Sequence, residues 1–402
     1  MAKSSIITAL DIGTSSIKML SAFKENDKED FHVVGFFKEN AFGIRKGVVV
    51  DASKTTEIIS SLIEKIEKES SKKINDIYSI INGNHISYSI IHSLVSVSRA
   101  DRKISEDDVD RAIQSARNFF PSTNKEILEI FPKEFIVDDQ KNIKEVIGMN
   151  GMRLEADVMI VHCFSPYFKN TTKAILDSGL QINDLIAAPI ASAKAVLTDR
   201  EKELGVVLLD IGAGTTGMAV FQEGSLVHLA VIPIGSSHIT NDIAICLKID
   251  IDTAEKIKIE FGDCILSSGK KILDKKIKID EDESLVFSQK VLKDIIEARI
   301  REIFHLVNKE LKKISFYANL PGGAVLTGGT VKLPGIKDFA KRELKLSCRL
   351  GFPKGFASLP EDPSLSALCG LILHGYETEN VEKEERFNLG QKVKKLFKIF
   401  IP

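Results

Sequence analysis

Two separate stretches of the sequence place a carboxylate, glycine and hydroxyl side chains at the end of an apolar run. One stretch runs from Ile6 to Leu20 and the other from Val206 to Val220, and each carries Asp-Ile-Gly followed by Ser or Thr. A carboxylate can hold Mg²⁺ directly or through water, and the amides of a glycine turn can converge on a phosphate. The apolar flanks predict a short strand on each side of the turn. Each stretch therefore predicts a phosphate loop, although a plain glycine-rich hairpin explains either one alone equally well.

The repetition favours the phosphate-loop interpretation. Two copies far apart in one chain predict a duplicated domain whose loops face each other across one nucleotide. Asp11 and Asp210 are the candidate metal ligands, and Asp210 is also the candidate catalytic residue. Lys18 is either a phosphate contact or a solvated lysine at a strand edge, and Ala219 is its expected counterpart in the second copy. The candidate nucleotide-binding residues of the two loops are Asp11, Gly13, Thr14, Ser15, Ser16, Lys18, Gly212, Gly214, Thr215 and Thr216.

A third glycine cluster follows another apolar strand, and it is the candidate site of the nucleoside. The strand predicted from Ala324 to Thr327 runs into Gly-Gly-Thr, and Leu-Pro-Gly then opens a helix. Two glycines without Cβ atoms allow the backbone to lie flat against a purine. Alone this is a common turn, but after two phosphate loops it becomes specific. The candidate residues are Gly328, Gly329, Thr330 and Leu333.

Glu255 and Lys258 form a possible pair on a predicted helix, Thr253 to Phe261, which Asp252 is expected to cap. A spacing of three puts both side chains on one helical face. They are either ligand contacts or an exposed ion pair worth roughly a few tenths of a kcal/mol.

The composition indicates an ordinary globular chain of more than one domain. Of its 402 residues, 44% are hydrophobic and 28% charged, and the formal net charge is -1, so no nucleic-acid footprint is present. The 5 Cys are scattered without a Cys-x-x-Cys pair and the 8 His form no cluster, which argues against disulfides or a His/Cys metal site. No secretory signal is recognisable, and no apolar run is long enough to span a bilayer.

The C-terminal segment changes character twice. Glu377 to Arg386 is highly charged and predicts a flexible linker. The residues after it predict a basic amphipathic helix, which favours binding to a membrane surface rich in anionic lipid. Docking of this helix on its own protein or on a partner is the alternative. The candidate membrane residues are Phe387, Leu389, Val393, Lys394, Lys395, Leu396, Phe397, Lys398 and Phe400.

The order of these motifs resembles the actin, Hsp70 and sugar-kinase ATPase superfamily over most of the chain. Asp11 to Lys18 and Asp210 to Gly217 resemble its two phosphate loops, Leu326 to Pro334 its adenosine motif, and Ala187 to Ala193 a connecting helix. Within it, the closest resemblance is to the FtsA family of bacterial division proteins. The features that indicate this family are the C-terminal tail, the Ile-Ser-Glu-Asp-Asp-Val and Gly-Met-x-Gly-x-Arg-Leu-Glu runs at 104–109 and 148–155, and the helix at 254–262.

The resemblance implies an α/β fold with duplicated actin-like (ribonuclease-H-like) domains around a nucleotide cleft and an inserted small α+β subdomain. In that division, subdomain 1A comprises residues 1–83 and 164–197, and the insert 1C comprises 84–163. Subdomain 2A comprises 198–235 and 302–376, and 2B comprises 236–301. Residues 377–386 form the linker and 387–402 the membrane helix. The charged segment 198–203 is either a hinge between the halves or a solvated loop, and a hinge is favoured.

The resemblance also implies a function. Such a protein binds ATP with Mg²⁺, polymerises, and uses Glu255 and Lys258 near the ribose and adenine. It grips the C-terminal peptide of FtsZ, ties the FtsZ ring to the cytoplasmic face of the inner membrane at the division site, and helps recruit later division proteins. Hydrolysis is expected to be slow at most, because no substrate-side base is recognisable. The alternatives are a phosphotransferase of the sugar-kinase type and a pilus-type actin-like assembly ATPase.

Overall fold

The computed structural model describes residues 6–25, 30–264, 274–278, 284–314 and 320–387, with the backbone alone at 274, 276–278, 284–285 and 381–387. The strands are β1 Ile7–Ile12, β2 Ser16–Phe23, β3 Phe31–Asn40, β4 Ile44–Arg45, β5 Val48–Val49, β6 Asp76–Ile81, β7 Ser87–Ser96, β8 Lys125–Val137, β9 Gln140–Ile143, β10 Arg153–Phe164, β11 Gln181–Ala187, β12 Val206–Ile211, β13 Thr216–Gln222, β14 Ser225–Ile232, β15 Asp274–Lys278, β16 Ser284–Ser288, β17 Gly323–Thr327, β18 Cys348–Leu350 and β19 Phe356–Ala357. The helices are α1 Ala52–Ser70, α2 Glu106–Phe119, α3 Ser165–Leu176, α4 Ala188–Val196, α5 Asp199–Leu204, α6 Ser236–Leu247, α7 Ile251–Phe261, α8 Gln289–Leu311, α9 Ile336–Leu344 and α10 Ser366–Phe387.

Two sheets with one common topology form the two halves of the molecule. The first-half sheet has the strand order β11-β6-β1-β2-β3-β19, and the second-half sheet has the order β14-β13-β12-β17-β18. In each sheet three consecutive strands pair antiparallel, and a later strand pairs parallel with the first of them, β6 with β1 and β17 with β12. The predicted duplicated α/β architecture is therefore confirmed.

Helix α4 lies between the two sheets and belongs to both hydrophobic cores. Ala188 and Ala191 pack into the core of the first half, whereas Ile190 and Ala193 pack into a second cluster that joins insert strand β10 to second-half strands β12 and β13. Helix α10 packs against α4 so closely that a Cβ atom on Gly370 would lie 1.8 Å from the carbonyl oxygen of Ala191. The predicted connecting helix thus joins both halves and the C-terminal helix.

The insert is a separate sheet of order β7-β10-β8-β9 with α2 packed on one face. Helix α2 begins after Ser105, whose backbone N–H donates to Asp108 Oδ2 at 2.9 Å, and this bond satisfies one of the free amides at the helix start. The insert also contacts the second half, because Tyr88 Oη lies 3.0 Å from His228 Nδ1.

Two connecting segments form helices, which contradicts the predicted loop at 198–203 and the predicted flexible linker at 377–386, whereas the hinge at 198–203 stays a prediction. The segment expected to be a hinge or loop at 198–203 forms helix α5, and Glu201 on it pairs with Arg349 Nε at 2.6 Å. The segment 377–386, expected to be a flexible linker, continues α10 as far as Phe387. Its Glu, Lys and Arg residues are good helix formers, it contains no Gly or Pro, and Lys194 holds Glu377 at 2.6 Å.

Candidate functional site

The two predicted phosphate loops have the same backbone turn. The Gly13 N–H donates to the Ser16 carbonyl at 3.1 Å, and the Gly212 N–H donates to the Thr215 carbonyl at 2.9 Å. The turns connect β1 to β2 and β12 to β13, so both loops sit at the same edge of equivalent hairpins. The duplication therefore extends to individual hydrogen bonds.

The strand register corrects the predicted counterpart of Lys18. Asp11 pairs with Lys18 across the first hairpin, and Asp210 pairs with Gly217 across the second, so the counterpart is Gly217 and not Ala219. A side chain has no room at this position of the second copy, because a Cβ atom on Gly217 would lie 2.7 Å from Pro189 Cγ. Proline 189 of α4 fills the space that the lysine occupies in the first copy.

The loops face each other across a cleft, as the duplication predicts. A Cβ atom on Gly214 would lie 2.5 Å from Thr14 Oγ1, so the second loop can approach the first only because Gly214 has no side chain. The same Thr14 hydroxyl accepts a hydrogen bond from the Gly47 N–H at 2.9 Å, which holds the first loop against the turn before β5.

The two aspartates have different partners. Asp11 and Lys18 are both buried and form an ion pair of 2.7 Å. Asp210 accepts a hydrogen bond of 2.5 Å from the buried hydroxyl of Ser192 on α4. Burial raises the pKa of Asp210 to about 6, and the charge of Asp11 adds to this effect, whereas the Ser192 hydrogen bond and the charge of Lys18 oppose it. The charged form of Asp210 is therefore less favourable than that of an ordinary aspartate.

The third glycine cluster packs directly on the second loop. Gly328 has φ +90°, a region that favours glycine, and a Cβ atom there would lie 2.4 Å from Asp210 Oδ1. The Thr330 hydroxyl donates to the Gly212 carbonyl at 2.9 Å. These contacts fix the predicted nucleoside motif next to the predicted catalytic residue.

The start of α6 also fixes the second loop. The backbone N–H groups of Ser236 and Ser237 donate to the carbonyls of Gly212 and Ala213 at 3.0 and 2.8 Å. Free amides at a helix start thus find partners in the loop. The close approach requires Gly235, since a Cβ atom there would lie 2.4 Å from the Gly212 carbonyl oxygen.

Glu255 and Lys258 form a pair that is more buried than a surface ion pair. Lys258 Nζ lies 2.6 Å from Glu255 Oε2 and 2.9 Å from Thr240 Oγ1, and the lysine is only 6% exposed. Burial lowers the pKa of Lys258, although Glu255 opposes this. Helix α7, which carries both residues, begins at Ile251 with Asp250 as its cap, and not with the predicted Asp252.

A cavity of about 400 Å³ lies between these elements. The predicted residues that line it are Asp11, Gly13, Thr14, Ser15, Ser16, Lys18, Asp210, Gly212, Thr215, Glu255, Lys258, Gly328, Gly329, Thr330 and Leu333. Gly214 does not line it but contacts Thr14. Thr216 was expected to contact the nucleotide, but its side chain is fully buried and its hydroxyl donates to the Ile234 carbonyl at 2.8 Å. The structure therefore removes Thr216 from the candidate contacts.

Several lining residues escaped the sequence analysis. Lys38 and Lys332 add charge to the wall, Asn82 directly follows strand β6, which pairs with β1, and Ser236 begins α6. Only Asn82 carried a usable signal, because parallel strands end at the same edge of a sheet. The other three come from plain strand, turn and helix sequences.

The predicted tail residues Leu389, Val393, Lys394, Lys395, Leu396, Phe397, Lys398 and Phe400 lie outside the described part of the chain, and only the backbone of Phe387 is described, at the end of α10. Among the described helices, none combines the length and the apolar composition that a bilayer crossing requires.

The fold has relatives among solved structures of low sequence identity. The PilM-PilN type IV pilus biogenesis complex superposes with a TM-score of 0.66 at 17% identity, covering 92% of this chain and 98% of that chain. MreB5 of Spiroplasma citri bound to ADP superposes with a TM-score of 0.57 at 11% identity, covering 96% and 99%. These similarities place the chain in the actin-like fold.

Sequence comparison identifies the family to which the chain is related. A family model described as cell division protein FtsA matches residues 207–370, and one described as the SHS2 domain inserted in FtsA matches residues 83–162. The FtsA proteins of Pseudomonas aeruginosa and Neisseria meningitidis are 34% and 35% identical, covering 93% and 91% of this chain and 90% and 89% of theirs. The FtsA protein of Bacillus subtilis is 31% identical, covering 92% and 84%. With these relatives and with the inserted domain in place, the chain belongs to the FtsA family of cell division proteins.

Proposed function

We propose that this chain is an ATP-binding adaptor that polymerises and ties the FtsZ division ring to the cytoplasmic face of the inner membrane, where it helps recruit later division proteins. The observation that carries the nucleotide part is the cleft in which two equivalent loops and the Gly-Gly-Thr motif meet around Asp210. Family membership favours this role over a sugar kinase, and no pilus-type partner is needed to explain the chain.

Mg-ATP fits the residues of the cleft. Asp11 and Asp210 would hold Mg²⁺, and the metal would neutralise phosphate charge. Within the described residues no group of three His, Cys, Asp or Glu side chains forms a metal cluster. Two carboxylates with phosphate oxygens and water are, however, the usual Mg²⁺ environment of nucleotide sites. Asp210 has a raised pKa, and a bound cation favours its charged form.

Titration calorimetry with Mg-ATP tests the nucleotide proposal. The full chain should bind, and the double variant Asp11→Ala and Asp210→Ala should not. The control is Asp51→Ala and Asp76→Ala, which also removes two acids, both in the first half and outside the cleft. Absence of heat with the unaltered chain, or equal binding by the cleft variant, would show that the proposed nucleotide site is wrong.

The membrane proposal rests on the composition of the tail. Lysines near an anionic surface contribute about 1 kcal/mol each. The triple variant Lys394→Glu, Lys395→Glu and Lys398→Glu should therefore lose more than about a hundredfold in affinity for vesicles of phosphatidylcholine and phosphatidylglycerol. The control reverses three exposed lysines of the first half, Lys46, Lys72 and Lys73, and changes the net charge equally. Equal co-sedimentation of both variants would exclude the tail as the anchor.

The FtsZ proposal has support from exposed apolar side chains on the second half. Ile245 on α6 and Ile259 on the neighbouring α7 are 74% and 70% exposed, although Ile259 also borders the nucleotide cavity, and Val286 and Val291 are exposed as well. Exposed large apolar side chains on neighbouring helices are candidates for an interaction site. In an anisotropy titration with the C-terminal FtsZ peptide, Ile245→Asp should weaken binding at least tenfold. Leu176→Asp, an exposed leucine of the first half, is the control and should bind normally.

The predicted subdomain boundaries remain part of the proposal. Residues 1–83 and 164–197 are assigned to 1A, 84–163 to 1C, 198–235 to 2A and 236–301 to 2B. The predicted extension of 2A over 302–376 is wrong after β18, because β19 pairs with β3 of the first-half sheet and α10 packs in the first-half core. The match of the inserted-domain family to residues 83–162 supports the second assignment.

A further inference from the structure

The charged side chains that line the nucleotide cavity are almost all engaged with one another. Lys18 pairs with Asp11 at 2.7 Å, and Lys258 pairs with Glu255 at 2.6 Å. Lys332 pairs at 2.6 Å with Asp362, which lies just outside the lining. Each of these lysines has its charge largely compensated before a ligand arrives.

Lys38 is the exception among the lining cations that the structure describes. It lines the cavity, and no described residue forms an ion pair or hydrogen bond with its ammonium group. It stands on β3 directly opposite Lys18 of β2 in the antiparallel register. Directly opposed residues of an antiparallel pair have neighbouring side chains on the same face of the sheet. The two lysines therefore share one wall of the cavity.

The surroundings of Lys38 are unfavourable to its positive charge. Burial lowers its pKa first, the positive charges of Lys18 and Lys332 lower it further, and only Asp362 acts in the opposite direction. Lys38 is nevertheless an exposed residue, so water still reaches its side chain, and what stays uncompensated is the repulsion from Lys18 and Lys332. An anionic ligand in the cavity supplies a partner for the ammonium group and offsets this repulsion.

We propose that Lys38 is a direct contact to the phosphates of the bound nucleotide, and that it supplies the uncompensated positive charge of the cleft. This inference rests on the proposed nucleotide binding. A nucleoside di- or triphosphate brings several negative charges, while Lys18 is already shared with Asp11. Lys38 can turn its ammonium group to phosphate without breaking any described ion pair, whereas Lys18 and Lys258 cannot. Its position across from Lys18 puts it at the phosphate loops rather than at α7.

Calorimetric titration of the full chain with Mg-ATP, Mg-ADP and adenosine tests this role. Lys38→Met keeps the aliphatic stem and removes the charge. It should bind Mg-ATP and Mg-ADP about ten to a hundred times more weakly, the range expected for one hydrogen bond to a charged group, and adenosine unchanged. Lys38→Arg should restore most of the affinity. Lys72→Met, an exposed lysine of the same half, should bind like the unaltered chain.

The outcomes separate the inference from the proposed function. Binding of Mg-ATP by the unaltered chain and by Lys38→Met with the same affinity overturns the inference and leaves the nucleotide site intact. An equal loss for Mg-ATP and adenosine also overturns it, because the substitution would then act on the shape of the cavity rather than on phosphate. If the unaltered chain binds none of the three ligands, the nucleotide site itself is wrong.

Discussion

Replacement of Asp210 by Asn should stabilise the protein in the absence of nucleotide and Mg²⁺, by an amount that grows with pH. The carboxyl has a pKa of about 6 in the folded chain against an ordinary value of 3.8, so the folded chain holds this proton more tightly. Below about pH 4 the carboxyl is protonated in both the folded and the unfolded chain, so it does not lower the free energy of unfolding. The destabilisation by the charged carboxylate develops as the pH rises from about 4 to 6 and is complete above about pH 6. At 1.36 kcal/mol for each unit of pKa, Asp210→Asn should raise the free energy of unfolding by about 3 kcal/mol at pH 8 and by about half of that at pH 5.

Urea unfolding followed by circular dichroism, without nucleotide or Mg²⁺, measures this gain, since a ligand of the folded state would add its own stabilisation. Asp362→Asn is a control of opposite sign. Lys332 and the Ser364 N–H lower the pKa of Asp362 more than burial raises it, so loss of this charge should destabilise the protein at pH 8. Equal stability of Asp210→Asn and the unaltered chain at pH 8, or a gain that is the same at pH 5, would refute the reasoning.

Three further substitutions probe other contacts. Gly370→Val should lower the free energy of unfolding by about 3 kcal/mol in a urea titration, because its Cβ has no room beside the Ala191 carbonyl. Arg349→Met should destabilise by about 1 kcal/mol at pH 7. Burial raises the pKa of Glu201, but hydrogen bonds from Arg349 and Thr198 outweigh it and hold the pKa at about 2. The difference should therefore shrink between pH 5 and 3. Lys258→Met should weaken Mg-ATP binding about tenfold by calorimetry; unchanged affinity would reassign Lys258 to a purely structural pair.

The phosphate loops could be predicted because their chemistry lies in consecutive residues. Asp, Gly and hydroxyl side chains within one turn are visible without knowledge of strand pairing. Lys38 is different, because its place in the cavity depends on the register of β3 against β2, which the sequence does not display. Ser192 lies in an alanine-rich helix that predicts only packing, and its bond to Asp210 depends on how α4 sits between the sheets. The mistaken counterpart of Lys18 has a different origin. Gly217 follows Asp210 by the same number of residues as Lys18 follows Asp11, so the aligned sequences already identify it, and the strand register agrees.

The error at the C-terminal end has another cause. Charge content and lack of large apolar residues predicted a flexible linker at 377–386. The same residues favour a helix once a packed helix precedes them, because propagation of a helix is easier than its nucleation. Ser366 to Tyr376 supplies that packed beginning, and tertiary contacts of α10 with α4 are not visible in composition.

If the two near-identical turns were the whole site, the two sides of the cleft would be equivalent. A ligand pocket with a true dyad would accept an elongated molecule in either of two directions with equal affinity. Here the two directions differ, because Lys18 on one side corresponds to Gly217, covered by Pro189, on the other. The Gly-Gly-Thr motif also exists on one side only. The cleft therefore favours one orientation of a bound ligand. This orientation is determined by the few positions at which the duplicated copies have diverged, and not by the fold that they share.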